Sequence, residues 1–127
     1  MNENKIEQYL IDLKYSYQEV KPNFWLLDDT EHDLEGVAIM YADPLVIIEV
    51  QVMDAPREKR EEFFVKLLEL NASDMIHGAY GLEGDKVVII DSLEYETLNF
   101  SEFRASLDAI SLAVTQHYPV LSVYREK

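Results

Sequence analysis

The sequence contains no cysteine. Disulfides, zinc–thiolate sites, iron–sulfur clusters and thiol nucleophiles are thereby excluded. Glycine and proline are scarce, with four of each, which excludes collagenous and linker-like chains. Basic residues are outnumbered: 11 Lys and Arg stand against 25 Asp and Glu, a formal net charge of −14. Such a chain repels phosphate backbones and anionic lipid, so neither nucleic acid nor a membrane is an expected partner. Long apolar runs are missing as well. Runs such as Leu45–Ile48 and Val87–Ile90 fall far short of the roughly 20 residues of a spanning helix. Met1–Lys5 lacks a basic segment leading into an apolar one, so no leader is expected and the expected location is cytoplasmic. There is no low-complexity tract and no internal repeat.

What is present is an acidic chain of 127 residues, 48% hydrophobic. Length and composition predict one globular domain over residues 1–127.

Hydrophobic spacing orders the elements. Ile6, Leu10, Leu13 and Tyr17 recur at helical intervals and predict a first helix over residues 4–16. Tyr17–Val20 reads as at most a short extended segment before the Lys21-Pro22-Asn23 turn. Phe24–Asp28 and Val37–Tyr41 read as strands on either side of a polar, acidic loop, Asp29–Gly36. Leu45–Met53 is the strongest strand. Val46, Ile48, Val50 and Val52 point to one face, and Leu45, Ile47, Glu49, Gln51 and Met53 to the other. That pattern predicts a central antiparallel strand with one face on the core and one partly wet.

Asp54-Ala55-Pro56 carries a cap residue and a first-turn proline, predicting the start of a helix over Arg57–Asn71. Arg57–Glu61 and Glu62–Lys66 would support it at i, i+4. Residues 76–82 and 86–95 read as strands joined by the Glu83-Gly84-Asp85 turn. Ser101 is the expected cap of a last helix to about Tyr118, with Pro119 beyond its end. The expected fold is α+β: an antiparallel five-stranded sheet with helices packed on one face, in the order α-β-β-β-α-β-β-α.

No catalytic signature stands out. His32, His77 and His117 fall in three separate elements, and HExxH, GxSxG and Walker-type loops are absent. His77 reads as a strand residue. His117 reads as lying at a helix C-terminus, where the dipole favours a cation. Asp28-Asp29-Thr30-Glu31-His32-Asp33 is dense in oxygen ligands but lacks calcium-loop spacing, so no metal is expected. Gly78, Gly81 and Gly84 recur every third position. Without a strand-to-helix junction they read as bends or close backbone approaches, not a phosphate cradle. No nucleophile, base and orienting group occur together, so the chain is not expected to be an enzyme and no cofactor is expected.

The helices carry more. At 100° per residue, Phe63, Phe64, Leu67, Leu68 and Leu70 span an arc of roughly 160°, wider than one core contact needs. The last helix has two apolar stripes: Phe103, Leu107, Ile110 and Val114 form one, and Ala105, Ala109, Leu112 and Ala113 the other. Such a helix needs two partners. One is the sheet, and the other is the first helix or a second subunit.

The order of elements resembles the type III secretion chaperone-like fold, the class of Tir chaperones and YbjN-type proteins. The resemblance runs over roughly residues 5–118. It is carried by Leu67-Leu68-Glu69-Leu70-Asn71-Ala72 and by Met75-Ile76-His77-Gly78-Ala79-Tyr80-Gly81-Leu82. Val87-Val88-Ile89-Ile90, Leu93-Glu94-Tyr95-Glu96-Thr97-Leu98 and the final helix complete it. The resemblance implies a small acidic cytosolic protein, a homodimer that binds other polypeptides without chemistry. It also implies a dimer contact on the helix bearing Phe63, Phe64, Leu67 and Leu68. With the second stripe of the last helix, the expected dimer or partner interface comprises Phe63, Phe64, Leu67, Leu68, Ala105, Ala109 and Leu112. The expected function is a chaperone-like or adaptor module with a protein client. The alternative is a regulatory or small-ligand sensor domain, its ligand held on the wetter sheet face near Glu49, Gln51, Tyr41 and Trp25.

Overall fold

The computed structural model describes residues 4–125. Asn4 accepts a hydrogen bond from the Ile6 N–H at 2.8 Å and starts α1, Lys5–Leu13. The helix stops earlier than its apolar spacing suggests because Lys14 turns left-handed, at φ 62°. Its buried stripe is Ile6 and Leu10.

Six strands follow where five were expected. β1 is Tyr17–Lys21, β2 Phe24–Asp29, β3 Leu34–Ala42, β4 Leu45–Asp54, β5 Ala79–Glu83 and β6 Lys86–Glu94. All pair antiparallel, in the order β1-β2-β3-β4-β6-β5. The additional strand is β1, which lines one edge. β4 is interior, and Val46, Ile48 and Val50 are buried as its alternation requires.

One face assignment in β4 changes. Gln51 pairs with Val88, yet Met53 pairs with Val87, so Val52 is an extra residue in a bulge. A bulge re-aims the chain beyond it. Met53 turns inward, 7% exposed, and Val52 is only half-buried.

α2 spans Arg60–Ser73 rather than starting at Arg57. Asp54 does not cap it. That residue is still in β4, opposite Lys86, and the Ala55 N–H donates to the Asp85 carbonyl at 2.7 Å. Lys59, left-handed at φ 54°, precedes the helix without a side-chain cap. Arg57 therefore lies ahead of the helix, and Lys66 pairs with Glu69 at 3.5 Å. β5 starts at Ala79, so Ile76 and His77 precede it.

α3 spans Phe100–Leu121. Its cap is Asn99, which accepts from the Glu102 N–H at 2.8 Å, so Ser101 sits inside the first turn. Pro119 does not end the helix. A proline there forfeits one backbone bond, and the Ser122 N–H still reaches the Tyr118 carbonyl.

The buried side chains of α1, α2 and α3 join Trp25, Leu27, Val37, Ile39, Val46, Ile48, Val50 and Ile89 in one core. The helices thus cover one face of the sheet. The opposite face is set by alternation and register. One cross-strand row is Leu26–Ala38–Glu49–Ile90–Ala79, and a second is Phe24–Met40–Ile47–Ser92.

Candidate functional site

The seven expected interface residues are not one patch. Phe63 is fully buried and Leu67 is 5% exposed, both in the core. Phe64 is half-buried beneath the Arg60 guanidinium, 5.0 Å from its ring centre. Leu68 is 68% exposed. On α3, Ala105 and Ala109 are half-buried and Leu112 is exposed. The apolar arc of α2 thus divides between core and solvent.

The four residues of the ligand-sensor alternative are separated. Trp25 is buried on the helix side. Tyr41 shares that side, stacked on Tyr95 at 4.2 Å. Glu49 and Gln51 belong to the other side of the sheet.

The acidic loop forms a short 3-10 turn, Thr30–His32. Oxygens of Asp29 and Glu31 and a nitrogen of His32 come within 4.8 Å of one another. The Asp29 carboxylate is already engaged there. It accepts from the Ser16 N–H at 2.9 Å, the His32 N–H at 3.2 Å and His32 Nδ1 at 2.8 Å. Burial works against its charge, but these bonds outweigh it and hold the carboxyl below its ordinary range. The cluster caps a turn.

A chain of three polar side chains, Tyr80 and His117 buried and Asp74 exposed at its outer end, escaped the sequence reading. Tyr80 O–H donates to His117 Nδ1 at 2.7 Å, and His117 Nε2–H donates to the Asp74 carboxylate at 3.1 Å. The acceptor-only carboxylate fixes this tautomer. His117 is buried, and its legible signal was its place three residues beyond Val114 in the core stripe. Burial, and then the Asp74 charge, push the Tyr80 hydroxyl far above its ordinary range. Tyr80 therefore stays protonated, which suits a structural donor and not a nucleophile. Nearby, a cavity of about 430 Å³ lies between α3 and the sheet, lined by Val37, Val50, Met53, Tyr80, Ile110 and Arg125 among others.

The sheet face opposite the helices carries an apolar surface that no helix of the described residues packs on. Phe24, Leu26, Ala38, Met40 and Ile47 are half-buried by sheet neighbours alone, and Ile90 is exposed. Phe24, Leu26, Met40, Ile47 and Ile90 stand outside the core. Glu49 lies in the middle of this face, flanked by Ala38 and Ile90. Only the β4 part of it was singled out from sequence. The same two-residue alternation in Phe24–Leu26 and Ala38–Met40 carries the signal for the rest.

The two edges of the sheet differ. On β5, the Asn71 carboxamide accepts from the Tyr80 N–H at 2.7 Å and donates to the Tyr80 carbonyl at 3.3 Å. It occupies positions that an added strand would use.

A family model described as CesT_Tir_1 matches residues 1–127. Among solved structures, a chain of the heterodimeric ExoU–SpcU complex from the Pseudomonas aeruginosa type III secretion system is similar. It has a TM-score of 0.74 and 12% identity, over 91% of this chain and 97% of that one. YbjN of E. coli superposes with a TM-score of 0.66 and 18% identity, over 91% and 90%. A chain of the HopA1–SchA chaperone–effector complex does so with 0.63 and 8%, over 86% of each. At these identities the likeness is one of fold. No curated protein matches in a sequence search. No helix among the described residues is long and apolar enough to cross a membrane.

Proposed function

The chain belongs to the CesT_Tir_1 family, and from that premise we propose that it is a non-enzymatic, cytoplasmic chaperone-like or adaptor protein that holds a polypeptide client. The observation that carries the reading is the open sheet face. Leu26, Met40, Ile47 and Ile90 line an apolar surface that no helix of the described chain covers. A contiguous apolar face of this kind marks a docking surface. An extended client would lay alternate side chains along it.

The protein acts as a homodimer in this reading, formed through the helical side. Leu68, Val65 and Leu112 are exposed there, at 68%, 49% and 55%. The charge of −14 on each copy opposes pairing. Salt screens that repulsion beyond about 8–10 Å, so short-range apolar burial prevails and the dimer tightens as salt rises. Light scattering in low and physiological salt tests this; a strictly monomeric mass in both overturns it.

The client reading is tested by affinity capture from native lysate with the parent and a Met40→Gln/Ile47→Gln variant. The parent recovers a reproducible polypeptide and the variant loses it. Equal recovery by both, or none by the parent, refutes the reading. One observation favours a small ligand instead. The cavity beside Tyr80, about 430 Å³, falls within the usual range of ligand pockets.

A further inference from the structure

We propose that the polypeptide docked on the open sheet face carries a lysine or arginine among apolar residues, and that this cation seats between Glu49 and Glu83. The inference rests on the docking reading above and names the chemistry of the partner. Glu49 is half-buried in the middle of an apolar row, with Ala38 and Ile90 as its cross-strand neighbours. Its polar contact is the side chain of another acid, Glu83 of β5. Among the described residues, neither acid has a basic partner within ion-pair distance.

The nearby cations are engaged elsewhere. Lys86, opposite Glu83, pairs with Asp54. Lys21 lies over the Phe24 ring, 5.6 Å from its centre. Two facing carboxylates on an apolar floor are unfavourable alone and favourable around a cation. A lysine or arginine stem also lies well along apolar side chains while its head reaches the acids. A second copy of this chain does not fit, because a like face would bring Glu49 and Glu83 against further carboxylates.

A pH dependence follows. Burial first, then the hydrogen bond and charge of Glu83, push the Glu49 carboxyl up to about 7. Near neutrality the Glu49 carboxyl is therefore divided between its protonated and ionised forms, and a cation seated beside it favours the ionised one. The titratable group meeting Glu49 is Glu83 from β5, and Lys86 of the intervening β6 lies further along the sheet, opposite Asp54 and Glu83. β3 offers Ala38, and the helices lie on the other side.

The test uses the whole chain and a short peptide of alternating leucine and threonine with one central lysine. Twin peptides carry glutamine or glutamate instead. Binding is read by fluorescence anisotropy on either side of neutrality. The lysine peptide binds on the order of tenfold more tightly than its glutamine twin. Its advantage grows as pH rises through about 7, as Glu49 ionises. E49Q/E83Q, checked for folding by circular dichroism, binds the lysine and glutamine peptides alike. Equal affinity of those two peptides for the parent overturns the inference and leaves the docking face standing. So does a lysine preference that survives in E49Q/E83Q. Failure of all three peptides to bind also overturns it. If Met40→Gln/Ile47→Gln then captures the client as the parent does, the docking face falls too.

Discussion

Replacing Gly78 with alanine separates two sources of strain that a sequence shows as one glycine. Gly78 has φ +79° at the entry to β5. A Cβ built there would lie 2.9 Å from the Ile90 carbonyl oxygen and 3.2 Å from the Asp91 Cβ. Gly84, in the β5–β6 turn, has φ +60°, and its Cβ would meet nothing within 4 Å. Both alanines incur the left-handed backbone cost of about 1–2 kcal/mol. Only Gly78→Ala adds overpacking against backbone, which cannot rotate away, at about 1–3 kcal/mol. Gly84→Ala should therefore cost about 1–2 kcal/mol and Gly78→Ala about 2–5 kcal/mol. Urea unfolding of both variants beside the parent gives the two values. Equal losses would refute the close approach of Gly78 to β6, and with it the placement of β5 against β6.

Val50→Asp puts an unpaired carboxylate among core side chains and should cost about 3–5 kcal/mol, read as a lowered urea midpoint; an unchanged midpoint would place Val50 on the wrong face. Asn71→Ala removes both bonds to the Tyr80 backbone, at about 1–2 kcal/mol, and should speed hydrogen exchange at the Tyr80 amide. Glu49→Gln alters how stability varies with pH. The folded-state carboxyl, raised from 4.5 to about 7, binds a proton more tightly than the unfolded chain does. The parent therefore loses stability as pH rises from about 4.5 to about 7, and the glutamine variant should lose less over that window, in urea midpoints taken across it.

The elements most readable in the sequence are those whose apolar period is unbroken. Val46, Ile48 and Val50 alternate, and Phe103, Leu107 and Ile110 repeat at helical intervals; all six are buried. β1 was hard to read because it barely alternates in burial: Tyr17 is half-buried and Gln18–Lys21 are exposed, with pairing to β2 alone holding the strand. The bulge at Val52 left no trace, since alternation continues through Gln51–Met53 in the sequence while the register slips in space. Asp54-Ala55-Pro56 carried a helix-start signal that tertiary pairing with Asp85 and Lys86 overrode. Asn99 and Ser101 are both good caps, and only geometry chooses between them. For the candidate site, the outward residues of β4 were legible. Joining them to Phe24, Leu26, Ala38 and Met40 required the register of β2 against β3.

The open sheet face is where a polypeptide docks in the function proposed above. Methyl-labelled NMR of the whole chain, titrated with the captured client, addresses that face directly. Shifts are expected at the methyls of Leu26, Met40, Ile47 and Ile90, while Leu68 and Leu112 respond to protein concentration instead. Shifts confined to Leu68 and Leu112, or to Val114 and Met53 around the cavity, would contradict it.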